Sequence, residues 1–185
     1  MRLKPLLLLT SLLLCPSAFA LDTGFKSPTV SGTGGWITPD NAFSSNDVDA
    51  TDGGLGNEEQ IYESFAISIP GGSTINGLEV TAEGAAGFEN STLGIELSYD
   101  GGTSWTTQKT DVFSDGADQT KTYGGSADTW GRTWAVSEFS NANFKLRADF
   151  VTGSLNILVD HIQVKIYYSS FAVKGNGVVF VGVDK

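Results

Sequence analysis

Trp130, Arg132 and Trp134 alternate in the run Trp130-Gly131-Arg132-Thr133-Trp134. An extended backbone would therefore place two indoles and a guanidinium on one face. Such a face is either a platform for a sugar ring or a corner of the core in which Arg132 lies over a ring. Trp36, in a loop-like stretch, poses the same choice. A second group is acidic. Asp47, Asp49 and Asp52 lie at short spacing ahead of Gly53-Gly54, and clustered carboxylate oxygens suit a hard cation such as calcium, although the spacing departs from an EF-hand loop. Asp160, in Leu158-Val159-Asp160-His161-Ile162, falls on the row of Ile162, Val164 and Ile166. An inward carboxylate requires hydrogen bonds or a cation. The expected cofactor is a structural Ca2+ held by Asp47, Asp49, Asp52 and Asp160 at one site or two, with a hydrogen-bonded or bulge-exposed Asp160 as the alternative.

Other chemistries are poorly supplied. Nucleophilic catalysis needs a histidine beside its partner, and the one histidine, His161, lies on the polar row of a long strand. One histidine, with a cysteine only at Cys15, cannot assemble a zinc ligand set. Glycoside hydrolysis needs two carboxylates. Glu79 and Glu83, four residues apart on one strand face, stand roughly 13 Å apart, beyond the separations of either stereochemical course. Glu79 with Glu96 across strands stays open. The expectation is no enzyme, with a glycoside hydrolase-like activity ranked last. The segment Ser98-Tyr99-Asp100-Gly101-Gly102-Thr103-Ser104-Trp105 resembles the Asp-box of sialidases. There the box repeats away from the catalytic site, so a single copy implies a tight hairpin.

The elements that position these residues are strands. Leu78, Val80 and Ala82 alternate with Glu79, Thr81 and Glu83; Leu93, Ile95, Leu97 and Tyr99 with Gly94, Glu96 and Ser98. The same period recurs at Phe65, Ile67 and Ile69, at Phe144, Leu146, Ala148 and Phe150, and at Ile162, Val164, Ile166 and Tyr168. Gly-Gly pairs at 34–35, 53–54, 71–72, 101–102 and 124–125 punctuate the runs. No stretch after Leu21 shows helical periodicity, and residues 137–143 suit a single helical turn. The pattern predicts a single all-β domain, an antiparallel β-sandwich of jelly-roll-like form, with a small barrel as the alternative.

The chain opens as a secretory leader. Arg2 and Lys4 precede an apolar run over residues 6–14, and Pro16, Ser17, Ala18 and Ala20 supply a breaker and a small-residue cleavage pattern. The expected division is a signal peptide over 1–20, a sandwich over 21–169, and a hairpin or strand-forming tail over 170–185. The location is secreted, extracellular or periplasmic, with no membrane insertion after cleavage. Cleavage removes Cys15, so the domain forms no disulfide. A formal charge of −10 argues against nucleic-acid partners and suits solubility or cation binding. In the tail, Lys174-Gly175-Asn176-Gly177 precedes Val178-Val179-Phe180-Val181-Gly182-Val183. This reads as a hairpin turning at Gly175-Asn176, which either completes the sheet or adds a strand to a neighbour.

Trp36-Ile37-Thr38-Pro39-Asp40, Ile69-Pro70-Gly71, Ile75-Asn76-Gly77-Leu78, the block from Gly124 to Trp134, Asn143-Phe144 and Val159-Asp160-His161-Ile162 together resemble a group of secreted bacterial and phage surface β-sandwich modules. The strand bearing Asp160 is similar to the last strand of carbohydrate-binding jelly rolls, where the Asp can bind structural calcium. The resemblance implies a non-catalytic module that binds carbohydrate or another cell-surface polymer, with Trp36, Trp130, Arg132 and Trp134 as candidate ligand-binding residues. The alternative is a structural subunit that self-associates through its C-terminal strand into an extracellular assembly.

Overall fold

The computed structural model describes residues 17–53, 58–114, 116–153 and 156–172. Ten strands run through them: β1 (Ser17–Asp22), β2 (Val30–Gly34), β3 (Ala50–Thr51), β4 (Glu59–Glu63), β5 (Thr74–Ala86), β6 (Ser91–Ser98), β7 (Lys109–Phe113), β8 (Gln119–Gly125), β9 (Lys145–Thr152) and β10 (Ile157–Ala172). Two short 3-10 turns, Pro39–Ala42 and Val136–Phe139, interrupt them. The first sheet has the order β1-β10-β5-β8, with β3 also on the edge of β10; the second is β2-β4-β9-β6-β7. Every pairing is antiparallel. From β5 onward the chain passes repeatedly between the two sheets, as in a jelly roll.

Period-two alternation builds the core. The register of β10 on β5 sets Ile162 opposite Ala82, Val164 opposite Val80 and Ile166 opposite Leu78. In the second sheet Ile95 meets Ala148 and Leu97 meets Leu146. All ten side chains are fully buried, and burial of each larger one stabilises the fold by about 1.5–3 kcal/mol. The intervening polar residues form the two outer faces.

One expected strand is absent. Phe65, Ile67 and Ile69 follow β4 without pairing, because Ser64 (φ 61°) and Ala66 (φ 51°) adopt left-handed conformations that break the ladder. Phe65 is still buried, edge-on to Phe144. β10 continues to Ala172, past the expected end at 169, and β1 spans the expected cleavage point, pairing Ser17 with Ala172 and Leu21 with Tyr168. Farther along the same edge of β10, Lys26 bridges Val164, Phe43 bridges His161, and β3 pairs with Val159 and Leu158. The expected tail hairpin and the charged, apolar part of the leader lie outside the described residues.

Candidate functional site

The Trp130 block is not extended. Trp130 (φ 55°) and Gly131 (φ 75°) form a left-handed turn, and both indoles point into the protein. Trp130 is 4% exposed and donates its Nε1–H to the Leu78 carbonyl at 3.0 Å; Trp134 is 5% exposed and donates to Thr129 at 2.8 Å. Gly124 is required here, since a Cβ at its φ of 78° would fall 2.2 Å from the Leu78 oxygen and 2.7 Å from Trp130 Nε1. Arg132 lies 3.5 Å over the Tyr99 ring and 4.4 Å over Trp134, while Glu138 takes both guanidinium nitrogens. Burial works against the charge of Glu138, but the hydrogen bonds from Arg132 and the Ala135 amide outweigh it and hold the carboxyl below its ordinary value. Trp36, also buried, donates to the Glu58 carbonyl at 2.9 Å. Trp130, Arg132 and Trp134 therefore clasp the end of the sandwich where β9 begins, Trp36 lies toward the opposite end of β4, and the solvent-facing alternative for these indoles gives way to burial. The buried positions reflect the large apolar area of indole together with backbone carbonyls placed to accept each N–H.

The four aspartates do not form one cluster. Asp160 is the extra residue at a β-bulge, where the register shifts between Val159 and His161. It is fully buried, and its carboxylate accepts from the Asn46 amide (3.1 Å to each oxygen) and the Val48 amide (3.2 Å). Asp47, between those two donors, has a φ of 59° and is exposed. Asp49 is half-buried; burial first, then Asp118, Asp160 and Asp47, push its carboxyl up. Asp52 is separate and fully buried: one oxygen accepts from the Ile157 amide at 3.1 Å, and Oδ2 has no hydrogen-bond partner. Among the described residues, no three His, Cys, Asp or Glu side chains gather closely enough to hold a metal ion.

Glu79 and Glu96 project from the outer faces of different sheets. A sandwich about 10 Å thick lies between them, so the cross-strand pair cannot share a substrate. The Ser98–Trp105 segment does form a tight hairpin: Asp100 accepts from the Ser104 amide at 2.7 Å, Gly102 donates to Ser98 Oγ at 2.8 Å, and Gly102 has a φ of 97°. The Ser104 amide bond is the main cause holding the Asp100 carboxyl below its ordinary value. Trp105, half-buried, lies against the outer face of the second sheet, with the Arg147 guanidinium 4.5 Å over its ring. Arg147 is paired with Glu96 and Glu59, Lys145 with Glu63 at 2.7 Å, and Gln108 with Asp149 at 2.9 Å.

The outer face of the first sheet is different. The register sets His161 beside Glu83 and Thr120, Gln163 beside Thr81 and Thr122, and Lys165 beside Glu79 and Gly124. The segment just after β1 lays Ser27 and Phe25 along the edge of this array. Ser27 Oγ is 2.8 Å from His161 Nε2, and Lys165 Nζ is 4.1 Å over the Phe25 ring. Tyr167 donates to Glu79, which also pairs with Lys165 at 3.4 Å. Burial lowers the His161 imidazole below its ordinary value, and burial and the Glu79 hydrogen bond push the Tyr167 phenol up. Thr81, Glu83, Thr120 and Thr122 make no side-chain hydrogen bond among the described residues, so the array holds donors and acceptors open to a ligand. Sequence reading passed over this row because alternating polar residues also describe an ordinary solvated face. The usable signal was the aromatic and amide content of Tyr167, Gln163 and Phe25.

The class defined by this arrangement is a two-sheet antiparallel β-sandwich with one charge-paired outer face and one open one. No protein-family model matches the chain, and no curated protein does. Among solved structures it is similar to the C-terminal CBM6 of LamC, a marine laminarinase from Zobellia galactanivorans, at 10% identity and a TM-score of 0.39, over 81% of this chain and 98% of that one. It is also similar to a CBM4 domain at 12% identity and a TM-score of 0.34, over 80% of this chain and 92% of that one. Likenesses of that strength assign neither fold nor function, and the sandwich stands on its own strand pairing.

Proposed function

We propose that this chain is an exported, non-catalytic carbohydrate-binding module that takes a glycan across the outer face of the first sheet. The observation that carries the reading is the open row of Thr81, Glu83, Thr120 and Thr122 beside Gln163 and His161, with Tyr167 and Phe25 at one end. Sugar hydroxyls both donate and accept, so they suit carboxylate and hydroxyl groups that are not already paired with each other, beside the Gln163 amide 3.5 Å from Ser27 Oγ. The apolar face of a pyranose suits a half-exposed aromatic ring. A broad glycan array with the wild type and Gln163→Ala tests the reading. Binding by the wild type that is weakened in the variant supports it; absence of binding across the array, or equal binding by both, overturns it.

A further inference from the structure

The free edge of β10 is covered over residues 169–172 by residues 17–20. These are the last four residues of the expected leader, and the cleavage that its small residues specify falls directly after Ala20. Removing them leaves Leu21 and Asp22 on Tyr168 and Tyr167 but strips the partner from the end of β10. The opposite edge gives no cover either, because the pairing with β5 ends at Ser169. The processed protein would present unpaired backbone amides and carbonyls, a configuration that recruits another strand.

We propose that the strand which takes this place is the chain's own C-terminal segment, residues 178–182, and that leader removal exchanges one edge strand for the other. The segment continues from β10 through Lys174-Gly175-Asn176-Gly177, so only a short loop has to close. A two-residue turn at Gly175-Asn176 fixes the register: Val179 falls opposite Ala172, Val181 opposite Ser170, and Gly182 opposite Ser169. Those are the positions that Ser17, Phe19 and Ala20 hold on β10. Directly opposed residues of an antiparallel pair share a face. Along β10 the buried row runs through Ile162, Val164, Ile166 and Tyr168, and period-two alternation carries that row to positions 170 and 172. Val179 and Val181 therefore extend the core row, while Phe180 and Gly182 take the outer one. A register displaced by one residue would instead put Phe180 and Gly182 on the core row, so the turn at Gly175-Asn176 decides which of these apolar residues face inward.

The chain beginning at Leu21 contains no cysteine, which makes the pairing directly testable. With Ser170→Cys and Val181→Cys together, mild oxidation should give a monomer with one internal disulfide, and Ser170→Cys with Phe180→Cys should give none. A chain beginning at Ser17 should form the first crosslink about tenfold more slowly, because residues 17–20 compete for the edge. In the unsubstituted protein, amide hydrogen exchange over residues 178–182 should be about tenfold slower in the Leu21 chain than in the Ser17 chain. A crosslinked dimer would place the strand in a second copy and overturn the proposal. Unprotected amides in the Leu21 chain, or equal protection in both lengths, would overturn it as well.

Discussion

The two outer faces of the sandwich are both polar, both built by period-two alternation and both half-buried, yet they differ in what they leave free. On the second sheet Arg147 is held by Glu59 and Glu96, Lys145 by Glu63, and Gln108 by Asp149. On the first sheet the Glu79, Lys165 and Tyr167 group is similarly closed, but Thr81, Glu83, Thr120 and Thr122 are not. Polarity alone therefore does not make a binding face. A ligand must recover the hydrogen bonds its hydroxyls made with water, and groups already paired with each other cannot supply them without cost.

The comparison breaks first if the aromatic clasp proves to be a ligand site instead of a support for both faces. Trp134 packs on Phe139, Phe144 and Tyr99. Trp134→Ala should cost about 3–5 kcal/mol in denaturant unfolding, while the folded fraction keeps its glycan affinity. Unaltered stability with lost binding would return the site to the clasp. Next in size, Glu83→Ala should weaken glycan binding by about tenfold, or 1.4 kcal/mol, in calorimetric titration with melting nearly unchanged. A variant that bound as well as the wild type would remove Glu83 from the face.

The second face should answer in the opposite sense. Arg147→Met leaves Glu59 and Glu96 as unpaired like charges, which should cost about 1 kcal/mol of stability without altering glycan affinity. A loss of binding there would mean that the wrong sheet has been assigned. The smallest effect expected is at the acidic end of the first face. Burial first, then Asp160, Asp47 and Glu83, push the Asp118 carboxyl above its ordinary 3.8. The folded state thus holds this proton more tightly than the unfolded state, and ionisation at neutral pH opposes folding. Asp118→Asn should raise the melting temperature slightly at pH 7, a gain that shrinks as pH falls through the raised folded value and vanishes below 3.8, where both states are protonated. A gain that persisted in acid would have another origin.

Much of the architecture was legible in the residues. The rows of Leu78, Val80 and Ala82, of Leu93, Ile95 and Leu97, and of Ile162, Val164 and Ile166 each became a core-facing strand, because burial of one face of a pleat leaves a period-two signature in any chain. Phe65, Ile67 and Ile69 carry the same signature without a strand, since left-handed Ser64 and Ala66 are imposed by the surroundings and not by residue type. The Trp130 block was legible as either a sugar platform or a corner of the core, and residue types alone did not choose between them. Whether an indole faces water depends on carbonyls such as that of Leu78, which is distant in sequence from Trp130.

The sequence by itself determined an all-β domain with alternating rows, a hairpin at Ser98–Trp105 and an inward Asp160, because each depends on local period or on side chains within a few residues of one another. Only the tertiary structure decided which rows became neighbours. It placed Glu79 and Glu96 on opposite faces, separated Asp52 from Asp160, and joined residues 25–27 to the edge of β10 so that Phe25 and Ser27 meet Lys165 and His161. Strand order and register are set by the collective packing of two sheets, and alternation within one strand carries no information about its partner.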